Sequence, residues 1–342
     1  MAGIRYSRHR FSPQLRSQLR ELNDLDNWHG PGSCAVHLSA VVAASVLPVA
    51  YGWWWYPVSL LVVGSRQRAL LSLLHWSVHG TAARSRWLNL LIGTVIGAYP
   101  IMQTHYGYKL SHVATHHPLL GDPVRDPDTA EFVDRGVYEV RTRRDTILRL
   151  LILPAFGGPL LRQWLRSAVR LLRRKSAAAQ SIPQSWQAAA KRDRVAFGCF
   201  WLVVLVVAVL TGTVWDVAVL WFVPYLTVYQ MIGWYVGLSE HTPIARDNHI
   251  DLYMTRNKLS HGLELLLTGP VADNMHLEHH LDARTPYWNL GRAMRIRLAD
   301  PEYARVVGEF GGLFRNGPAN QPSALAAVMT GLIQRAEAKR SP

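Results

Sequence analysis

The sequence predicts an all-α integral membrane protein: two transmembrane helical hairpins, four spans in all, under a helical cytosolic cap. Three observations carry that reading. Four apolar stretches, at about residues 33–51, 55–74, 195–214 and 217–238, each approach the ~20 residues a helix needs to cross ~30 Å of hydrocarbon. The connecting turns divide by charge, with arginine and lysine on one side only. Most of the 15 histidines fall into tight clusters on that same basic side.

Composition narrows the class further. Of the 342 residues, 49% are hydrophobic and 18% charged, too apolar a balance for a solvated coil. Cys34 and Cys199 are the two cysteines, which excludes a disulfide-stapled module, a cysteine zinc module and an iron–sulfur protein. The net charge of +14 comes without a nucleic-acid recognition module. Its expected partner is the anionic surface of membrane lipids.

The first segment, residues 1–32, is polar and arginine-rich, without the apolar stretch and cleavage site of a secretory signal. Ser12 can cap a helix whose first turn holds Pro13. Leu15, Leu19, Leu22 and Leu25 then share one face, so this helix lies on a membrane or packs on the cap. Arg66 and Arg68 interrupt the second span; either its cytosolic end begins early, or they face the protein interior or snorkel. Residues 87–102 read as re-entrant or interfacial, and residues 147–165, broken by Gly157-Gly158-Pro159, as interfacial. The turns Gly52-Trp53-Trp54 and Trp215-Asp216 carry no lysine or arginine. The N-terminal segment (Arg5, Arg8, Arg10, Arg16, Arg20) and the centre (Arg141, Arg143, Arg144, Arg170, Arg173, Arg174, Lys175) carry many, which places both, and the C-terminus, in the cytoplasm. The chain thus divides into residues 1–32, a membrane domain at 33–291, and a helical cytosolic tail at 292–342.

Three histidine clusters and one isolated histidine lie on the cytosolic side. His75 and His79, in HWSVHG, are spaced i,i+4 and face one way on a helix. In HVATHH, His112 and His116 repeat that spacing while His117 points to a neighbouring face. In HLEHH, His276 and His279 are i,i+3, with His280 beside them. His241 stands alone after the fourth span. Neutral imidazole is a good ligand for iron, zinc, copper and nickel. Nine such groups exceed one tetrahedral zinc and fit two metal ions with open positions. His9, His29, His37, His105, His249 and His261 fall outside the clusters and read as surface or supporting residues. Among nearby acids, Glu240, Glu278 and Asp126 are expected to orient ligand imidazoles.

In order, HWSVH, HVATHH and HLEHH resemble the three histidine boxes of the membrane fatty acid desaturase superfamily, which includes desaturases and hydroxylases. The likeness extends to the box-two surroundings, GYKLSHVATHHPLLGDPVRDPD, and to NMHLEHH, where Asn274 precedes the first ligand by two residues. His241, in its Glu-His dipeptide, resembles the extra ligand the family places after its last span. The resemblance covers about residues 33–291.

What it implies is a cap holding a non-haem di-iron site. Two iron ions would be ligated by His75, His79, His112, His116, His117, His241, His276, His279 and His280, with Asn274, Glu240, Glu278 and Asp126 around them. O₂ would be co-substrate, and an electron donor protein, a ferredoxin or similar with its reductase, would supply electrons. The basic stretch at residues 166–194 would then face lipid headgroups or dock that acidic carrier. A fatty acyl chain is the default substrate, with double-bond formation the expected outcome. The alternative is a hydroxylase or desaturase of a small amino-acid-like or natural-product substrate, favoured by the polar Asp282-Ala283-Arg284 after box three. A non-catalytic metal transporter would need ionisable residues in spans three and four, which hold almost none. The arginine- and alanine-rich composition suits a bacterial cytoplasmic membrane, with the site facing the cytoplasm. Two departures stand out: Trp76 where members commonly have Asp, and HHLDARTP where many read HHLFP.

Overall fold

The computed structural model describes residues 6–139, 142–156 and 183–338. Among these the chain is helical, joined by turns, with one isolated bridge between Ser7 and Ile250. The principal helices are α1 (Pro13–Arg20), α2 (His29–Tyr51), α3 (Tyr56–His79), α4 (His105–Ser111), α5 (Pro127–Asp134), α6 (Gln184–Thr211), α7 (Gln230–His241), α8 (Gly262–Thr268), α9 (His276–Leu281), α10 (Leu290–Arg297), α11 (Pro301–Val307) and α12 (Ala324–Ala338). They sort into two units. One takes Met1–Asp24, Ser111–Phe156 and Gly233–Pro342; the other takes Leu25–Leu110 and Gly157–Ile232.

The second unit is built for lipid. Three helical stretches are long and apolar enough to cross a membrane: His29–Tyr51, Gln184–Thr211 and Val214–Asp247, the last running on into the first unit. Val36, Val42, Val46 and Val49 of α2 are exposed, as are Leu202, Val203, Val207 and Leu210 of α6. In water each exposed apolar Å² forgoes ~25 cal/mol of burial, whereas in lipid it forgoes nothing. Trp53, Trp54, Trp55 and Trp215 are exposed in the turns after α2 and α6, the level at which amphipathic rings settle in a membrane interface.

α3 has the length of a span but not its apolarity. Ser59, Ser65, Arg66, Gln67 and Ser72 are all buried along it. The Arg66 guanidinium lies 3.2 Å from His37 Nδ1 on α2 and donates to Ser65 Oγ at 2.7 Å. Gln67 donates to the Trp221 carbonyl at 2.9 Å. Of the options the sequence left open, Arg66 takes the interior-facing one. Gly64 shows how closely this face is approached, because a Cβ there would come within 2.6 Å of Val228. Near the start of α6, buried Asp193 accepts from the Tyr99 hydroxyl and from the Tyr106 amide, both at 2.7 Å. That link fixes the turn leading into α4.

The first unit has an ordinary packed core. Ser12 caps α1 by accepting the Leu15 amide at 3.2 Å, with Pro13 in the first turn. Leu19 and Leu22 bury against Ala293 and Ile296 of α10. Leu19 and Leu22 of the amphipathic stripe are therefore used inside the first unit. Leu252, Leu277, Tyr303, Val306 and Val307 form a second cluster, around α9 and α11. The stretch read as interfacial ends its described part at Phe156, which is exposed; residues 157–165, and residues 166–182 of the basic stretch, lie outside the described residues.

Candidate metal centre

Box two leaves the α-helical path. The His117 amide bonds the His112 carbonyl, five residues back, so the turn is π-helical. This changes which histidines meet. An α-helical turn pairs His112 with His116; the wider turn brings His117 Nε2 to 3.1 Å from His112 Nε2. His116, the expected partner, stays stacked on His112 with ring centroids 5.1 Å apart but also joins a different group. On α9 the sorting is complementary: His279 Nε2 lies 3.0 Å from His117 Nε2, while His280 Nε2 lies 3.1 Å from His276 Nε2. His241, at the end of α7, places its Nε2 3.0 Å from His276 Nε2.

The first unit thus holds two convergent histidine sets, and a further group in which His112 and His116 meet the exposed Asp128. His116, His241, His276 and His280 are all buried, and one ligand atom from each lies within 4.8 Å of the others. His112, His117 and His279 form the other set. Two nitrogens at right angles on one metal, with bonds of about 2.1 Å, stand about 3.0 Å apart. The observed spacings fit that geometry.

The outer nitrogens show that the inner ones are available. The buried Asp126 carboxylate accepts from His116 Nδ1 at 2.8 Å, and His116 Nε2 is buried with no hydrogen-bond partner. Asp126 is itself fixed by the Gly121 amide at 2.9 Å and the Thr129 hydroxyl at 2.7 Å, and it caps α5 through the Asp128 amide. The Met254 carbonyl, which only accepts, lies 3.1 Å from His241 Nδ1, so the proton sits there and Nε2 keeps its lone pair. Glu240 Oε1 lies 3.6 Å from His276 Nδ1 and accepts from buried Lys258 at 2.7 Å. These are the carboxylate–histidine contacts that orient metal ligands. Burial works against a charged His116, but Asp126 and Asp128 outweigh it and raise its pKa to about 9. Burial, followed by the neighbouring imidazoles, holds His280 well below the ordinary histidine range and keeps it neutral.

The other expected supporting residues act at one remove. Glu278 is fully buried, and its carboxylate is taken by Arg297, by the Tyr303 hydroxyl and by Asn257 Nδ2, the last at 3.2 Å. Asn257 Oδ1 also accepts the Leu277 amide at 3.0 Å, inside α9. Asn274 donates to the Lys258 carbonyl at 3.1 Å and so steadies the Lys258–Glu240 pair. Arg256, buried, donates to the Ser239 and Thr242 carbonyls at 3.1 and 2.8 Å and closes the end of α7 beside His241. Sequence reasoning missed Arg256, Asn257, Lys258, Arg297 and Tyr303. The run TRNKLS at residues 255–260 is polar, yet Thr255, Arg256, Asn257, Lys258 and Ser260 are all buried.

Box one belongs to the second unit. His75 and His79 lie on the last turns of α3, with ring centroids 5.2 Å apart. Trp76, in place of the common Asp, stacks its ring on His75 at 5.1 Å. Ser77 donates to the Asn89 carbonyl at 2.6 Å, so His105 Nε2, 3.1 Å away, donates to Ser77 and pins the end of α3. Among the described residues, none of His9, His29, His37, His105, His249 and His261 joins a metal-capable group.

The family described as "Fatty acid desaturase" matches residues 51–310. Over 328 residues the chain is 36% identical to a dihydrorhizobitoxine desaturase of Bradyrhizobium elkanii, covering 96% of this chain and 92% of that protein.

Two outcomes are expected of this centre. Asp126→Asn keeps a helix-capping side chain but removes the charge behind His116, so metal affinity should fall about 10–100-fold with the fold intact. Metal titration followed by elemental analysis reads this, and unchanged affinity would remove Asp126 from the centre. Second, the raised His116 pKa means that a proton occupies the unloaded site below about pH 9. Metal must displace it, so loading at pH 7 should release about one proton from His116 and affinity should rise with pH up to that value. Iron(II) titration in weak buffer measures the release; loading with no proton release between pH 7 and 8 would contradict the assignment.

Proposed function

Because the chain belongs to the fatty acid desaturase family, we propose that it binds two iron ions through its nine clustered histidines and desaturates a small polar metabolite with O₂. His116, His241, His276 and His280 would hold one iron, and His112, His117 and His279 the other. His75 and His79 are assigned to the second iron on the order of the boxes in the sequence. When bound, the irons would supply the O₂ chemistry that removes hydrogen from an unactivated C–H bond. Overall, the substrate gives up two hydrogens while O₂, two external electrons and two protons yield two waters.

This chain's own residues orient and exclude. Asp126 and the Met254 carbonyl hold protons on the outer nitrogens of His116 and His241, leaving Nε2 for the metal. Glu240, paired with Lys258 at 2.7 Å, stands 3.6 Å behind His276 Nδ1. Burial of His116, His279 and Glu278 keeps bulk water from the rear of box three.

For the substrate, the supporting observation is the likeness over 96% of the chain to a protein named for dihydrorhizobitoxine. Asp282 and Arg284 add to it. They form a paired polar wall, 2.9 Å from guanidinium to carboxylate, directly after box three. The second reading, a fatty acyl chain, draws on the family description. The same reading includes α3 as a fourth span, its buried Arg66 compensated by His37 and Ser65, and a site facing the cytoplasm.

Purified, iron-reconstituted protein should carry about two irons per chain. Cells expressing it should accumulate a polar metabolite two mass units lighter than its precursor. Zinc alone would sink the oxygenase reading, a gain of sixteen mass units would make it a hydroxylase, and altered lipids alone would favour the acyl chain. His116→Ala or His279→Ala should abolish the product; turnover in either variant would remove that residue from the ligand set. For topology, single cysteines introduced at Gly52 and Trp215 should react with an impermeant maleimide from outside intact cells. Protection of both would overturn the orientation.

A further inference from the structure

α1 and α10 pack on each other through Leu19, Leu22, Ala293 and Ile296. Away from that contact they carry Arg16, Arg20, Arg292 and Arg295, all exposed, and none of the four makes an ion pair among the described residues. Arg8 and Arg10, exposed on the lead-in to α1, add to this charge, and Glu21 and Asp24 subtract from it. We propose that this arginine face is the docking surface for an acidic iron–sulfur electron carrier of the ferredoxin class. The inference rests on the O₂-dependent reading of the centre, which needs electrons from outside.

Three observations select a protein partner over a lipid surface. First, a helix that lies on lipid exposes large apolar residues between its cations. α1 instead exposes Gln14, Ser17 and Gln18 between its arginines, because its leucines are used against α10. The contrast is α8, where Leu263 and Leu266 are exposed. Second, unpaired guanidinium groups on a rigid helix pair suit carboxylates on a partner, by bidentate contact and by long-range steering. Third, the face stands directly over the chemistry. α10 turns Arg297 inward onto Glu278, the residue between His276 and His279 on α9. A carrier seated outside α10 is separated from box three by one helix thickness, about 10 Å. Lipid would gain nothing from that position, whereas an electron donor gains a short path.

The electron balance is simple. Each reduced carrier gives one electron and leaves oxidised. Two dockings per turnover supply the pair that, with two protons and the substrate's two hydrogens, takes O₂ to two waters.

The test uses the full-length, iron-loaded protein in detergent and a plant-type [2Fe–2S] ferredoxin with its NADPH-dependent reductase. Arg292→Glu/Arg295→Glu should raise the Kd for ferredoxin at least about 10-fold at low salt, and wild-type binding should weaken steeply with added salt. Iron content and dithionite-supported turnover should stay unchanged. Arg292→Gln/Arg295→Gln should fall between. Equal Kd values for wild type and the charge-reversed variant would overturn the dock. So would a variant that keeps ferredoxin but loses binding to phosphatidylglycerol vesicles, which would make the face a lipid contact. Failure of the wild type to turn over with dithionite would count against the desaturase reading alone, because the binding comparison needs no turnover.

Discussion

A single constraint organises the first unit: seven imidazoles, six of them buried and His117 half-buried, must direct nitrogens at one another. A neutral imidazole has one donor nitrogen and one acceptor. Lone pairs set about 3 Å apart in a dry interior repel unless a cation lies between them. The arrangement therefore favours something positive shared in front, with contacts from behind fixing some of the rings. Asp126 behind His116, the Met254 carbonyl behind His241 and Glu240 behind His276 supply the rear contacts. Two sets of three or four convergent nitrogens define where the charge belongs.

The rear contacts are in turn held by buried ion pairs. Lys258 neutralises Glu240, and Arg297 neutralises Glu278, with all four side chains nearly sealed from solvent. Such pairs are weak stabilisers, since desolvation consumes most of their attraction, but breaking one costs about 3–5 kcal/mol by leaving a charge stranded. Their use here is geometric. Lys258 joins the loop after α7 to Glu240, and Asn274 joins that loop to the turn before box three. Arg297 and Tyr303 bring residues beyond position 291 onto Glu278, so the segment after box three is part of what holds the box. Moving any of them moves an imidazole.

How much of this was legible in the sequence follows from the range of each interaction. The boxes were, because i,i+3 and i,i+4 spacings are local and histidine is rare enough for clusters to stand out. The cap and leucine stripe of α1 were, for the same reason. The pairing within box two was not. It depends on a π-helical turn, and a one-residue change in turn width reassigns His116 and His117 without altering the motif. The supporting shell was not legible either. Lys258 lies 18 residues from Glu240 and Arg297 lies 19 from Glu278. Nothing in TRNKLS marks it as buried, because burial is imposed by neighbours distant in the chain. The second apolar stretch was legible only as a conflict, and its buried Arg66 meets His37, on a different helix.

The histidines outside the two sets show what separates a ligand from a support, since the ring is the same. His105 is as buried as the boxes, but its Nε2 is committed to Ser77, whose own proton is already given to the Asn89 carbonyl. Its inward nitrogen is spent on holding a helix. His37 faces a guanidinium, which can only donate, so its Nδ1 lone pair is consumed by Arg66. His29 pairs with Asp26 at 2.7 Å, as His116 does with Asp126, but it is exposed and has no dry, convergent space before it. A ligand needs both conditions at once: an acceptor behind one nitrogen and a dry, convergent space before the other. His241 meets both, His116 meets both once its inner proton is displaced, and this pairing of an outer anchor with an inward nitrogen is what a metal centre built from these histidines would need.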